Sequence, residues 1–254
     1  MCLGKRHAAL AYEPLNTLKA VADDIWIVDG PVIGLNPFAA WLPLWKGFPF
    51  STRMTIMRLR DGGLLVHSPT PLDGGLDALG TVRWIAGPNR LHYWWLPDWH
   101  KAYPKAQVYT APRIREQARG RIDFATLPLD RADGYPWDRE VATLPVAGRF
   151  MTEVVFFHKP SRTLVLTDFI ENFEPRRLPW WMRQVARLGG VLAPHGGMPR
   201  DMRATFRGAQ REDLRRAVET MLAWRPERVI VAHGEWFARD GEAALRRAFT
   251  WLLD

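Results

Sequence analysis

The sequence predicts an α/β domain in which helices cover the faces of a sheet. Short apolar runs typical of strands alternate along the chain with segments of helical period. Of the 254 residues, 47% are hydrophobic and 24% are charged, which is enough for a sizeable core and is against a disordered chain. No linker of biased composition and no internal repeat interrupts the sequence, so we expect residues 1–254 to form a single domain.

The first part of the chain predicts one helix and three strands. Leu15 to Asp24 has a helical pattern, and Ile25 to Val28 is a short apolar run that ends in a turn. Arg53 to Arg60 and Gly63 to His67 flank an Asp-Gly-Gly sequence, which indicates a β-hairpin. Phe38 to Phe50 is aromatic and broken by prolines, and it either packs over the core or forms an exposed apolar patch.

The middle of the chain continues the alternation of strands and helices. Val82 to Ile85 and Gln107 to Thr110 are predicted strands, separated by a helix from Leu96 to Tyr103. Glu153 to Phe157 and Thr163 to Thr167 flank a turn at Lys-Pro-Ser-Arg and predict a second hairpin.

The last third of the chain predicts mainly helices. Apolar residues recur there at helical spacing in two groups: Leu214, Val218, Met221 and Leu222, then Leu245, Ala248, Phe249 and Leu252. Residues 175–216 are rich in arginine and contain two Gly-Gly pairs. We expect this stretch to be a helical excursion near a functional site.

Charge and cysteine content restrict the function classes without choosing one. The net charge of +8 suits a nucleic acid, an acidic membrane surface or a small anionic substrate. A single cysteine excludes an internal disulfide framework and a Cys-rich zinc module. No secretory signal pattern follows Met1, and the uncharged stretch from Gly30 to Trp45 contains three prolines and is too short for a typical membrane span. We therefore expect a cytoplasmic protein without a transmembrane segment.

Polar residues with metal-binding chemistry follow several apolar runs. Val229 to Ala232 stops at His233-Gly234, and Thr163 to Thr167 stops at Asp168. His67 and His92 also lie at or just after apolar strands. Because strand ends deliver side chains to one edge of a sheet, we expect these four residues to converge.

On these residues, the chain from Ile25 onward resembles the metallo-β-lactamase-like superfamily, in a divergent and uncharacterised branch. The family motif His-x-His-x-Asp-His corresponds to Gly87-Pro-Asn-Arg-Leu-His92, so only its last histidine remains. Gly148-Arg149 stands where the family has Gly-His, while Asp168 and His233-Gly234 match the family's later ligands. The resemblance implies a four-layer αββα sandwich with an eroded metal signature.

The losses fall mainly on one of the two metal positions of that fold. Gly87, Asn89 and Arg149 replace its histidines, and a guanidinium has no lone pair to offer a metal. The other position retains His92, Asp168 and His233. Two histidines and a carboxylate suit a single catalytic zinc, and also iron.

A first hypothesis follows: a mononuclear metal-dependent hydrolase acting on a small anionic ester, lactone, thioester or phosphoester. His92, Asp168 and His233 would hold one divalent ion, zinc in the first place with iron or manganese as alternatives, and Asp168 and His233 would be the catalytic pair. The predicted substrate-binding residues are Arg149, His67, Asn89 and His195. Arg149 would bind the anion, His67 would orient a ligand or join the site, and His195 would lie over it on a Gly-rich loop.

Two other hypotheses remain open from the sequence. In the second, the site holds no metal, and the same residues form a hydrogen-bonded network in an inactive ligand-binding or interaction protein. In the third, the Trp- and Arg-bearing helix near Leu178 to Leu188 binds a membrane surface or a single-stranded nucleic acid, the nucleic acid being the less favoured partner.

Overall fold

Two β-sheets face each other, as a computed structural model of the chain shows. The structure describes residues 10–35 and 48–254. The first sheet contains β1 Leu18–Ala22, β2 Ile25–Leu35, β3 Phe48–Arg58, β4 Gly63–His67, β5 Thr81–Gly87, β6 Gln107–Thr110 and β7 Leu127–Pro128. Its strands lie in sequence order, antiparallel from β1 to β4 and parallel from β4 to β7.

The second sheet is smaller and holds two of the strand ends that matter for the site. It contains β8 Val141–Ala147, β9 Thr152–His158, β10 Thr163–Val165 and β11 Arg228–Ile230, in the order β11-β10-β9-β8. The pair β10 and β11 is parallel, so both strands end at the same edge of the sheet.

Alternation along the strands of the second sheet explains why it is covered on both faces. Val154 and Phe156 of β9 point into the cluster shared with the first sheet, whereas Val155 and Phe157 point into the cluster that contains the C-terminal helices. Since successive side chains face opposite sides, a continuous apolar run requires partners on both. Phe156 is fully buried, and truncating such a residue costs about 3–5 kcal/mol.

Helices supply the outer layers. Their bounds are α1 Leu96–Ala102, α2 Ile114–Ala118, α3 Trp180–Gly189, α4 Arg200–Arg203, α5 Ala209–Ala223, α6 Gly241–Ala248 and α7 Thr250–Leu253. Helix α1 packs near β5, and α5 and α6 pack against the second sheet at β8 and β11. The predicted α/β fold with two sheets and covering helices is thus confirmed. Residues 175–216 contain α3, α4 and the start of α5.

The helix predicted from Leu15 to Asp24 is wrong, because this segment contains β1. Leu18 pairs with Val28 and Ala20 with Trp26, across a turn in which Asp24 has a φ of 61°. Pairing with β2 decides the conformation here, since tertiary contacts override a weak local propensity. The strand β8 has no counterpart in the sequence prediction; its Pro145 is tolerated because β8 lies at the sheet edge.

Most of the aromatic segment Phe38 to Phe50 falls outside the described residues, apart from Phe48, Pro49 and Phe50 at the start of β3. No helix in the described ranges combines the length and apolarity that crossing a bilayer requires.

Candidate metal centre

Three side chains from three strand ends meet at one edge of the sandwich. Nε2 of His92 lies 3.3 Å from Oδ2 of Asp168, and Nε2 of His233 lies 3.1 Å from Oδ1 of the same carboxylate. One ligand atom from each residue lies within 4.8 Å of the other two. The convergence expected from the sequence is therefore present for these three residues.

The fold explains this meeting. Asp168 follows β10 and His233 follows β11, and these two parallel strands end side by side. His92 follows β5 in the facing sheet. Gly234 has a φ of 91°, and a Cβ on it would lie 2.2 Å from the carbonyl oxygen of Asn172. Only glycine allows the chain to turn at this point directly after the histidine.

Strand β3 holds the ring of His233 from behind. Nδ1 of His233 lies 2.6 Å from the backbone carbonyl oxygen of Ser51. The Ser51 hydroxyl accepts a hydrogen bond from the backbone N–H of Gly234 at 3.0 Å. A carbonyl can only accept, so Nδ1 carries the proton and Nε2 faces Asp168.

Arg53, two residues along the same strand, fixes the loop that carries His233. Its guanidinium donates to the carbonyl oxygens of Val231 and Gly234, at 2.6 and 2.9 Å. Its Nε donates to Asp29 at 2.8 Å, and both charged side chains are buried. The sequence interpretation missed Arg53, because its neighbours Ser51, Thr52 and Thr55 make this part of the strand polar in the sequence.

His92 is oriented by two residues. Its Nδ1 lies 2.6 Å from the Ser68 hydroxyl, just after β4, where Ser68 has a φ of 52°. Oδ1 of Asn89 accepts the backbone N–H of His92 at 3.2 Å, and Nδ2 of Asn89 donates to Oδ2 of Asp168 at 2.5 Å. Asn89 therefore links the loop of one ligand to the carboxylate of another.

Glu153 on β9 holds the backbone around Asp168. Its fully buried carboxylate accepts N–H groups from Thr167, Asp168 and Phe169 at 2.8 to 3.1 Å. Burial and the charge of Asp168 raise the pKa of Glu153 to about 8, while the bonds from the backbone act in the opposite direction. Glu153 was also missed from the sequence, although an acid within the apolar run of β9 marks it.

Electrostatics favour a charged Asp168. Burial alone would raise its pKa, but His92 and His233 outweigh burial and hold the pKa of Asp168 well below its usual value. Burial likewise would lower the pKa of His233, and the hydrogen bond and charge of Asp168 reverse this and raise it. The centre is a buried anion between two imidazoles.

A cavity opens over the three residues. Its described lining includes the apolar side chains of Ile33, Leu91, Trp94 and Trp95 and the hydroxyl-bearing residues Thr52, Ser68 and Thr70. Apart from His92, Asp168 and His233, the described lining contains no ionisable side chain.

The four predicted substrate-binding residues lie outside that described lining. Arg149 is exposed in the turn between β8 and β9, and His195 is exposed on its loop. Asn89 is fully buried, with both ends of its amide bonded inside the protein. His67 is buried against Phe156, its ring centroid 5.0 Å away, and burial with the charge of His92 lowers its pKa to about 3.

Sequence comparison gives a family but no activity. Residues 48–179, just over half of the chain, match the family described as a domain of unknown function, DUF4336. This segment includes His92 and Asp168, whereas His233 lies beyond it. No protein of curated function matches the sequence.

Structural comparison gives the fold. The DIM-1 metallo-β-lactamase matches with a TM-score of 0.56 and 11% identity over 94% of this chain and 97% of its own. The metallo-β-lactamase of Hirschia baltica matches with a TM-score of 0.56 and 10% identity over 93% and 96%. The FIM-1 metallo-β-lactamase of Pseudomonas aeruginosa, in its mono-zinc form, matches with a TM-score of 0.56 and 8% identity over 92% and 93%. The chain thus belongs to the DUF4336 family, and its fold is that of the metallo-β-lactamases.

Proposed function

We propose that the protein is a hydrolase that depends on one divalent metal ion held by His92, Asp168 and His233. The observation that carries the proposal is the orientation of the two imidazoles. Both direct Nε2 at opposite oxygens of one carboxylate, and both have Nδ1 engaged by an oxygen on the far side. Histidine ligands in metal sites have this arrangement, with the second nitrogen bonded to a partner that fixes the ring.

The donor set fits a divalent cation, and it also fits a proton on Nε2 of His233. With Nδ1 of His233 donating to Ser51, a neutral ring places a lone pair 3.1 Å from an ionised carboxylate oxygen. Two acceptors at that distance require a proton or a cation between them. A divalent ion would use all three donor groups at once, and zinc titration distinguishes it from a proton on His233.

A divalent ion at this position would lower the pKa of a water molecule and would polarise a carbonyl or phosphoryl oxygen of the substrate. The protein's own side chains orient the ligands and line the cavity. Ser68 and Asn89 fix the ring and loop of His92, and Ser51 fixes His233. Trp94 and Trp95 line the cavity, and in this proposal their rings limit the access of bulk water to the charged centre.

For the substrate, we propose a small ester, lactone, thioester or phosphoester with an apolar part. The apolar lining of Leu91, Trp94 and Trp95 supports such a group beside the reacting bond. The net charge of +8 would attract an anionic substrate. We propose that Arg149, which lies outside the described lining, contacts the anionic group.

The direct test is metal binding by the whole chain. Chelator-treated protein is titrated with zinc in a calorimeter, and the metal content of the purified protein is measured by mass spectrometry. We expect about one ion per chain, reduced by at least ~10-fold in affinity in His92→Ala and His233→Ala because each removes a ligand. The control is His195→Ala, which removes an exposed histidine and leaves binding unchanged.

The same experiment separates this proposal from a metal-free network. Substoichiometric metal that is unaffected by His92→Ala and His233→Ala rejects the metallohydrolase. If metal binds, ester, lactone, thioester and phosphoester substrates with aryl groups are compared in the zinc-loaded protein. Activity that survives His233→Ala would assign the chemistry to other residues.

A further inference from the structure

The helix α3 exposes an unusual amount of apolar surface. In the described ranges, six large hydrophobic residues are exposed, and four of them lie on α3. They form what we call the apolar face of α3: Trp180 at 75% exposure, Trp181 at 38%, Val185 at 46% and Leu188 at 70%. Scattered apolar residues are ordinary on a protein surface, but a contiguous group marks an interaction site.

The opposite side of α3 is buried against the protein. Met182 and Ala186 are buried in a small cluster with Leu178 and Val191. At about 100° per residue, Trp181, Val185 and Leu188 project away from this buried side. A helix that only covers a core has a polar outer face, whereas the outer side of α3 combines these apolar residues with exposed Gln184 and Arg187.

The surroundings of α3 are strongly basic. Residues 175–200 contain five arginines and no aspartate or glutamate. Arg187 on α3 is exposed, and so is Arg200, which lies beside Gly190 at the end of the helix. Arg176, before the helix, has 80% of its side chain exposed and pairs with Glu174. The apolar face of α3 is thus bordered by positive charge.

We propose that the apolar face of α3 docks on the surface of an anionic lipid bilayer. Tryptophan and leucine beside arginine are the composition of helices that lie in the interface, where the rings insert among headgroups and the guanidinium groups bind phosphates. The helix has 10 residues, which suits lying on a bilayer and is too short to cross one. The excess of arginine over acidic residues around α3 complements anionic headgroups, although Glu174 pairs with Arg176 and Asp201 follows Arg200.

Strand β3 contacts both the apolar face of α3 and the candidate metal centre. The ring of Phe48 lies 6.2 Å from that of Trp181, and the ring of Phe50, on the same strand, lies 5.2 Å from that of His233. Binding at α3 would therefore hold the candidate site close to the bilayer surface. The docking itself does not depend on the metal.

The test is co-sedimentation of the full chain with vesicles. Vesicles of phosphatidylcholine containing phosphatidylglycerol are compared with vesicles of phosphatidylcholine alone, at low and at physiological salt. We expect binding to the anionic vesicles that weakens as salt rises. The double variant Trp180→Ser with Leu188→Ser should bind at least about tenfold more weakly, because it removes the two most exposed apolar groups.

Matched controls use other exposed residues. Leu127→Ser with Phe150→Ser changes the two exposed apolar residues outside α3 and should bind as the unaltered protein does. Arg187→Glu with Arg200→Glu should weaken binding by about tenfold, whereas Arg119→Glu with Arg139→Glu, an equal change of charge elsewhere, should have a smaller effect. All these changes are at exposed positions, and circular dichroism and zinc binding should match those of the unaltered protein.

Several outcomes would overturn the docking proposal. Absence of vesicle binding would do so, as would equal binding to neutral and anionic vesicles or an equal loss in the control pairs. Self-association that Trp180→Ser with Leu188→Ser abolishes, without vesicle binding, would assign the face to a second copy of the chain. None of these results bears on metal binding, so the two proposals can fail independently.

Discussion

The backbone carbonyl of Ser51 on β3 accepts a hydrogen bond from Nδ1 of His233 across 2.6 Å, although His233 follows a strand of the facing sheet. This bond fixes which nitrogen of the imidazole is free. Arg53 reinforces it by holding the carbonyl oxygens of Val231 and Gly234 on either side of the histidine. The ligand geometry of one sheet therefore depends on a strand of the other.

Replacing Arg53 tests this dependence. Arg53→Met removes three hydrogen-bond donors and leaves Asp29 as a buried carboxylate with Lys19 as its remaining cation. We expect the free energy of unfolding, measured with urea, to fall by about 3–5 kcal/mol, as for other buried ion pairs that lose one partner. Zinc affinity should fall as well, because the loop of His233 loses its support.

The control for Arg53 is Arg58→Met on the same strand. Arg58 pairs with Asp24 at the surface, where both side chains are about 40% exposed, and an exposed pair contributes at most about 1 kcal/mol. Equal losses of stability in Arg53→Met and Arg58→Met would contradict the role given to Arg53.

Asn89 should act on metal affinity through Asp168 and His92. Asn89→Ala removes the donor to Oδ2 of Asp168 and one of two acceptors of the His92 backbone N–H; the other, the Asn89 carbonyl oxygen, remains. Loss of such outer partners weakens metal binding by about 10–100-fold. Calorimetric titration with zinc measures the change, and an unaltered affinity in a folded variant would remove Asn89 from the site.

Ser68 should determine the orientation of the His92 ring. In Ser68→Ala, Nδ1 of His92 loses its partner at 2.6 Å, and the ring is free to rotate away from Asp168. We expect a weaker zinc affinity and, in nuclear magnetic resonance spectra, a change in the tautomer of His92. Thr70→Val provides the comparison, because Thr70 lines the same cavity without a hydrogen bond to the three ligands. An equal effect of both changes would indicate cavity polarity as the cause.

Acid should destabilise the protein partly through His158, which is not one of the three candidate ligands. Its Nδ1 lies 2.7 Å from the Ser161 hydroxyl, and its buried Nε2 has no hydrogen-bond partner among the described residues, so a second proton on the ring would be unsatisfied. Burial lowers the pKa of His158 to about 4. The unfolded chain binds the proton near its ordinary pKa of about 6.5, so stability is full above that pH and falls as the pH drops toward 4.

The size of this effect can be measured by urea unfolding at a series of pH values. The single group contributes at most about 3 kcal/mol between pH 6.5 and 4, from 1.36 kcal/mol per pKa unit. His158→Asn keeps a donor near the position of Nδ1 and does not titrate. The free energy of unfolding should therefore change less steeply with pH in this range. The exposed His195→Asn should leave the slope unchanged. A slope in His158→Asn as steep as in the unaltered protein would contradict the assignment.

Much of the fold can be predicted from the sequence because local patterns encode it. The hairpin of β3 and β4 has a Gly-rich turn between two apolar runs, and β5, β6, β9 and β10 are apolar runs of strand length. The segment of β1 was misassigned because ten residues of mixed pattern fit a helix as well as a strand. Only pairing with β2 decides between them.

The sequence by itself determined the class of the fold and the three ligand candidates, since apolar runs that stop at Asp168 and His233 are visible in one dimension and His92 stands at the last histidine of the family motif. Only the tertiary structure decided which residues support them. Arg53, Ser68 and Glu153 act across turns and between facing sheets, and hydrogen bonds between residues distant in the chain leave no periodic pattern in the sequence.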